Sequence, residues 1–133
     1  MDDYAQIQQL YSRYNLSLDE KRHDDWLDCF TADGAVEGAN FGRFVGREQL
    51  KQFLARYRAD THMFQMRHVV TNILLDIEGD RARGSCYVLH YRTHRGHTEL
   101  IAIGRYEDQL RKVDGKWLLA ERKAFWDYSG SPA

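Results

Sequence analysis

Apolar positions recur in two different ways along this chain, and the changeover falls near its middle. In the first part the period is helical. Ile7, Leu10, Tyr11, Tyr14 and Leu18 follow helical spacing behind Asp2 and Asp3, either of which suits an N-cap, so a helix is predicted from about Asp3 to about Lys21. Trp26, Leu27 and Phe30 suggest a second, short helix closing before Asp33-Gly34, and Ala35 to Glu37 reads as a short strand. Gly46-Arg47-Glu48 opens a third helix, carried by Leu50, Phe53, Leu54 and Tyr57. From Phe64 onward the period is two. Strands are predicted over Phe64 to Ile77, Arg81 to Thr93, Glu99 to Val113 and Lys116 to Tyr128, joined at Glu78-Gly79-Asp80, Arg95-Gly96 and Asp114-Gly115.

Helices first and long hairpins afterwards predict an α+β fold, with about three N-terminal helices on one face of an antiparallel sheet. Strands of this length must twist and coil. The helices would close the concave side of a cone-shaped sheet and leave a cavity open at one end, the usual place for a small ligand. On the second long strand, Ala82, Gly84, Cys86, Val88, His90 and Arg92 share one face, while Tyr87, Leu89 and Tyr91 share the other. Both faces are substantially apolar, so one is expected to line the pocket and the other to bury against another copy of the chain, as a homodimer or homotrimer.

The 133 residues suit one domain, read here as 1–128 with a flexible tail at 129–133 that holds the only proline, Pro132. A formal charge of -1 gives no strong field and argues against nucleic acid or an anionic membrane as partner. Cys29 and Cys86 stand alone and read as buried thiols of a reducing compartment. The opening Met1-Asp2-Asp3-Tyr4 is acidic and unlike a secretion signal, and no apolar run reaches membrane-spanning length, so a cytoplasmic protein is expected.

The candidate chemistry is a pair. Asp19 lies near the end of the first helix, and His68 shares a strand face with Met66, Val70 and Asn72. A carboxylate on that imidazole would fix its tautomer and make it a general base near neutral pH. The plainer alternative is a structural histidine on a backbone carbonyl, with Asp19 a solvated helix-end charge. Tyr14 could donate to a developing oxyanion or be a core aromatic; it lies about 140° around an ideal helix from Asp19, so both face one ligand only if the pocket wraps the helix. His90 and Arg92 are candidate polar groups near the pocket mouth, and Tyr106 and Trp126 are candidate pocket or packing aromatics. His90, His94 and His97 are the only histidines spaced to suggest a metal, without a His-Glu-x-x-His or cysteine-pair pattern, so no metal is expected. No glycine-rich phosphate loop or nucleophile elbow is present, and no cofactor is expected.

These residues resemble the SnoaL-like, nuclear-transport-factor-2-like superfamily. The resemblance runs through Leu18 to Leu27 with Phe30-Thr31-Ala32-Asp33, Val45 to Leu50, Arg67-His68-Val69-Val70-Thr71-Asn72, Gly104-Arg105-Tyr106-Glu107-Asp108, and Asp114-Gly115-Lys116-Trp117. It implies a cystatin-like α+β barrel, a fold that hosts many functions. The dehydratase and dehydrochlorinase branch pairs an aspartate ending the first helix with a histidine opening the first long strand, matched here by Asp19 and His68. Tyr14 matches a tyrosine of the bile-acid dehydratase, whose late arginine falls on Trp126. Ketosteroid isomerase is also similar at Tyr14, but its aspartate falls on Gly38. The β subunit of aromatic-ring-hydroxylating dioxygenases is similar over Val88 to Gly96 and Gly104 to Lys112. Two functions are therefore implied. One is a cofactor-independent lyase or isomerase of an apolar, ring-bearing molecule. The other is a non-catalytic β subunit beside an oxygenase α subunit, or another ligand-binding scaffold.

Overall fold

A computed structural model describes residues 1–130. The first helix, α1 (Asp3–Asp19), starts where the Asp2 carboxylate accepts the Ala5 N–H at 2.7 Å, and its buried stripe holds Ile7, Leu10, Tyr11, Tyr14 and Leu18. It stops at Asp19 rather than Lys21, because Lys21 takes a left-handed backbone (φ 60°) and the chain turns away. α2 (His23–Leu27) is one short turn. Phe30 does not continue it. The strand β1 (Phe30–Gly38) begins there, and Phe30 packs its ring 4.8 Å from that of Trp26 from outside the helix. A strand of four residues, β2 (Gly42–Val45), unpredicted from the sequence, completes a hairpin before α3 (Gly46–Thr61).

Four long strands follow: β3 (Gln65–Glu78), β4 (Arg81–His94), β5 (His97–Val113) and β6 (Lys116–Ser129). The Asp114-Gly115 and Arg95-Gly96 turns both hold two positive φ angles, as two-residue hairpins require. The strands form one sheet in the order β2-β1-β6-β5-β4-β3. The sheet is mixed rather than wholly antiparallel, since β1 lies parallel to β6. It also remains open, with β2 and β3 as edges, rather than closing into a barrel. The parallel pairing is irregular between Phe30 and Ala35. A Cβ at Gly34 would stand 2.8 Å from the Phe30 Cβ and 3.0 Å from the Leu119 carbonyl, so only glycine lets the strands approach.

Curvature comes from register shifts. Asn72, in left-handed backbone (φ 57°), sits in a break between Thr71 and Leu74, so the predicted alternation through Asn72 ends at Val70. Further shifts fall at His90/Tyr91 and at Ile103/Gly104. The concave face takes α1 and α3, and the core between them holds Tyr11, Tyr14, Trp26, Leu50, Val88, Leu110 and Leu119. The convex face leaves Val69, Tyr87, Phe125 and Tyr128 exposed. Residue 129 of the expected tail belongs to β6, and Ser131, Pro132 and Ala133 lie outside the described residues. No helix among the described residues is long and apolar enough to cross a membrane.

Candidate functional site

The end of α1 abuts the edge strand β3, and this contact brings Asp19 to His68. One carboxylate oxygen accepts the His68 main-chain N–H at 2.9 Å, and the other lies 2.6 Å from His68 Nδ1. Both side chains are 4% exposed, although the main chain of His68 on the edge strand is more open. An ionised carboxylate only accepts, so beside it a neutral imidazole carries its proton on Nδ1 and its lone pair on Nε2.

His90 is the direct partner of His68 on β4, and the two rings stack with centroids 3.8 Å apart. Burial, and secondarily the neighbouring His68, hold the His90 pKa well below the usual imidazole value. His90 is therefore neutral and offers a flat face to His68. Its Nε2 lies 3.3 Å from the Tyr57 hydroxyl, whose own pKa burial pushes well up.

The hollow beside these rings has a cavity volume of about 110 Å³ and opens to solvent at one side. Tyr14, Leu18, Val36, Phe53, Tyr57, His68, His90, Tyr106 and Trp126 line it, and the exposed Asn40, Arg56 and Asp60 stand at its rim. Tyr14 and Tyr106 are nearly inaccessible, and burial keeps both phenols protonated. The angular conflict between Tyr14 and Asp19 disappears: Tyr14 faces the hollow, whereas Asp19 stands behind His68 and need not reach a ligand. Trp126 donates its indole N–H to Asn40 at 2.9 Å and so fixes the β1–β2 tip at the mouth.

Arg92 is not among the lining residues. It pairs with Glu99 at 2.6 Å and stacks over Phe64, beyond the shift in register that follows His90. His94 stands opposite His97, and its Nδ1 meets the Met63 carbonyl; no three metal-ligating side chains converge among the described residues. Sequence reasoning missed Tyr57, which read as part of the apolar stripe of α3. It also missed Phe41, Arg56 and Asp60, which only the meeting of the β1–β2 tip with α3 brings to the hollow.

A curved six-stranded sheet behind three helices matches a known class. The chain belongs to the SnoaL-like domain family, whose model matches residues 1–123. A Mycobacterium tuberculosis protein of unknown function, Rv3472, is 30% identical, with 94% of this chain and 72% of that one covered at a TM-score of 0.85. A Nostoc punctiforme protein of unknown function with a cystatin-like fold is 28% identical, with 98% and 96% covered at 0.85. The β subunit of a putative aromatic-ring-hydroxylating dioxygenase from Novosphingobium aromaticivorans shares the fold at 20% identity, with 92% and 88% covered at 0.77.

Proposed function

We propose that this chain is a cofactor-independent lyase of the dehydratase kind, or an isomerase of the same logic, acting on an apolar, ring-bearing small molecule. The observation that carries the reading is the 2.6 Å contact between Asp19 and His68 Nδ1, which leaves Nε2 of a buried imidazole in the hollow as a base. His68 takes a proton from the carbon beside a carbonyl, and the electron pair moves onto the carbonyl oxygen. Tyr14 donates a hydrogen bond to that oxygen. Collapse of the enolate expels a hydroxide, which receives the proton back from His68 and leaves as water, or a halide, which leaves as the anion. In the isomerase version the proton returns to a different carbon. His90, being neutral, sets no second charge against the imidazolium.

The size of the hollow orients the substrate. A cavity of about 150 Å³ holds benzene, so a hollow of about 110 Å³ takes little more than the reacting end. The rest of a ring-bearing substrate lies in the mouth among Trp126, Asn40 and Arg56. The test is a panel of β-hydroxy ketones carrying one or two aromatic rings, followed by the absorbance of the new conjugated double bond. Product formation that His68→Ala abolishes supports the reading, and turnover that survives His68→Ala ends it.

The uncovered apolar sheet face supports a second reading, in which the chain is a non-catalytic subunit beside a larger oxygenase α subunit. Under the leading reading a second or third copy covers that face, and the buried free thiols Cys29 and Cys86 suit a cytoplasmic setting. Sedimentation of protein purified from its own host separates a small homo-oligomer from a larger hetero-complex.

A further inference from the structure

The proposed reaction leaves one buried ion pair unused. Arg122 on β6 and Asp108 on β5 are direct partners, 0% and 3% exposed. Two bonds of 2.8 Å join them, from Nε to Oδ1 and from Nη2 to Oδ2. Such a pair adds little to stability over a well-packed apolar replacement, because desolvating both charges offsets their attraction.

The surroundings of the pair are asymmetric. The guanidinium carbon lies 4.0 Å from the ring centre of Tyr106, 4.3 Å from Tyr14 and 4.9 Å from Tyr11. The two closer rings line the hollow, and Tyr11 does not. Arg122 Nη1 is buried with no hydrogen-bond partner. The field follows the same axis. At Tyr14 and Tyr106 the guanidinium acts more strongly than the Asp108 carboxylate, whereas at Tyr11 the carboxylate acts more strongly.

We infer that the Arg122–Asp108 pair is an oriented dipole with its positive end behind the cavity floor, making the Tyr14 and Tyr106 end a subsite for an anionic oxygen, with Arg122 as a positioning residue. A cation on the face of a phenol draws on its π density and favours charge building up on its oxygen. Away from water this strengthens the O–H as a donor without removing its proton. The inference rests on Tyr14 meeting the reacting oxygen, as proposed above, and extends it to the substrate: the buried end carries an oxygen that is, or becomes, an anion.

The probes are 4-nitrophenol and its neutral isostere 4-nitrotoluene, titrated calorimetrically at mildly alkaline pH, where the phenol is ionised and free imidazole is neutral. The wild type should bind the phenolate at least about tenfold more tightly than the isostere, a difference of about 1.4 kcal/mol. Arg122→Met/Asp108→Leu removes the dipole without stranding a charge. It should bind both probes alike, with the isostere affinity unchanged. Tyr14→Phe keeps the pair but removes the receiving hydroxyl, and it should also lose the preference; this arm holds even if the double variant fails to fold. A wild type without the preference, one that binds neither probe, or a preference that survives either variant overturns the inference. No turnover is involved, so a preference in a protein whose activity survives His68→Ala keeps this inference and ends the base proposal, and the reverse result does the opposite.

Discussion

Replacing Asp19 by asparagine tests the base more sharply than removing the imidazole, because it keeps shape and changes the hydrogen-bond logic. The aspartate accepts twice from one residue, 2.9 Å from the His68 main-chain N–H and 2.6 Å from Nδ1. An asparagine has one acceptor oxygen and one NH₂ group. If the oxygen keeps the main-chain N–H, the NH₂ faces Nδ1 and forces it to accept. The imidazole proton then moves to Nε2, and the lone pair that faced the hollow is gone. The variant also loses the carboxylate that stabilises the imidazolium. Positioned general-base catalysis contributes about a hundredfold to ten-thousandfold, so turnover should fall within that range. Stability should fall by about 1.5–3 kcal/mol, the contribution of hydrogen bonds to a charged group.

Nitrogen-15 NMR of the histidine rings reads the cause directly. The wild type should show His68 protonated at Nδ1 around neutral pH, and Asp19→Asn should show it protonated at Nε2. An unchanged tautomer, or turnover within about tenfold of wild type despite the switch, would refute the reasoning.

Arg122→Met leaves Asp108 charged and buried, and should cost about 3–5 kcal/mol by denaturant unfolding, most of it recovered in Arg122→Met/Asp108→Leu. His90 is neutral when folded but takes a proton when unfolded, so its contribution to stability is complete above about pH 6.5 and is lost as pH falls below that. His90→Gln should therefore lose less stability than the wild type between neutral and mildly acidic pH in thermal melts. Tyr87→Glu together with Val69→Lys charges the outer sheet face, and should shift sedimentation toward the monomer with the melting temperature of the isolated domain kept. Gly34→Val should destabilise strongly by forcing β1 from β6, seen as a lowered midpoint in urea.

The parts of this fold that were legible in the sequence are those where side-chain period and burial agree. α1 and α3 announce themselves because each buries one helical stripe, the four long strands because exposure alternates along stretches of each, and the Asp114-Gly115 turn because only certain residues accept two positive φ angles. The Asp19–His68 pair was visible only as two residues in suggestive places, since nothing local states that the end of a helix meets an edge strand 49 residues away. What stayed hidden lies where period and environment separate. Phe30 keeps helical spacing from Trp26 yet packs on it from a strand. Arg92 shares its predicted face with His90, but the register shift between His90 and Tyr91 falls before it. Arg122 carries a charge and so reads as surface, and only its partner on β5 and three phenol faces make burial tolerable. The same reasoning separates the two histidines of the hollow. His68 is tied by a carboxylate that can balance a proton, whereas His90 Nε2 meets, at a longer distance, a phenol that cannot balance one. Adjacent on neighbouring strands and stacked face to face, the two rings differ because a single aspartate closes α1 beside one of them, and this difference is why His68 and not His90 is the proposed base.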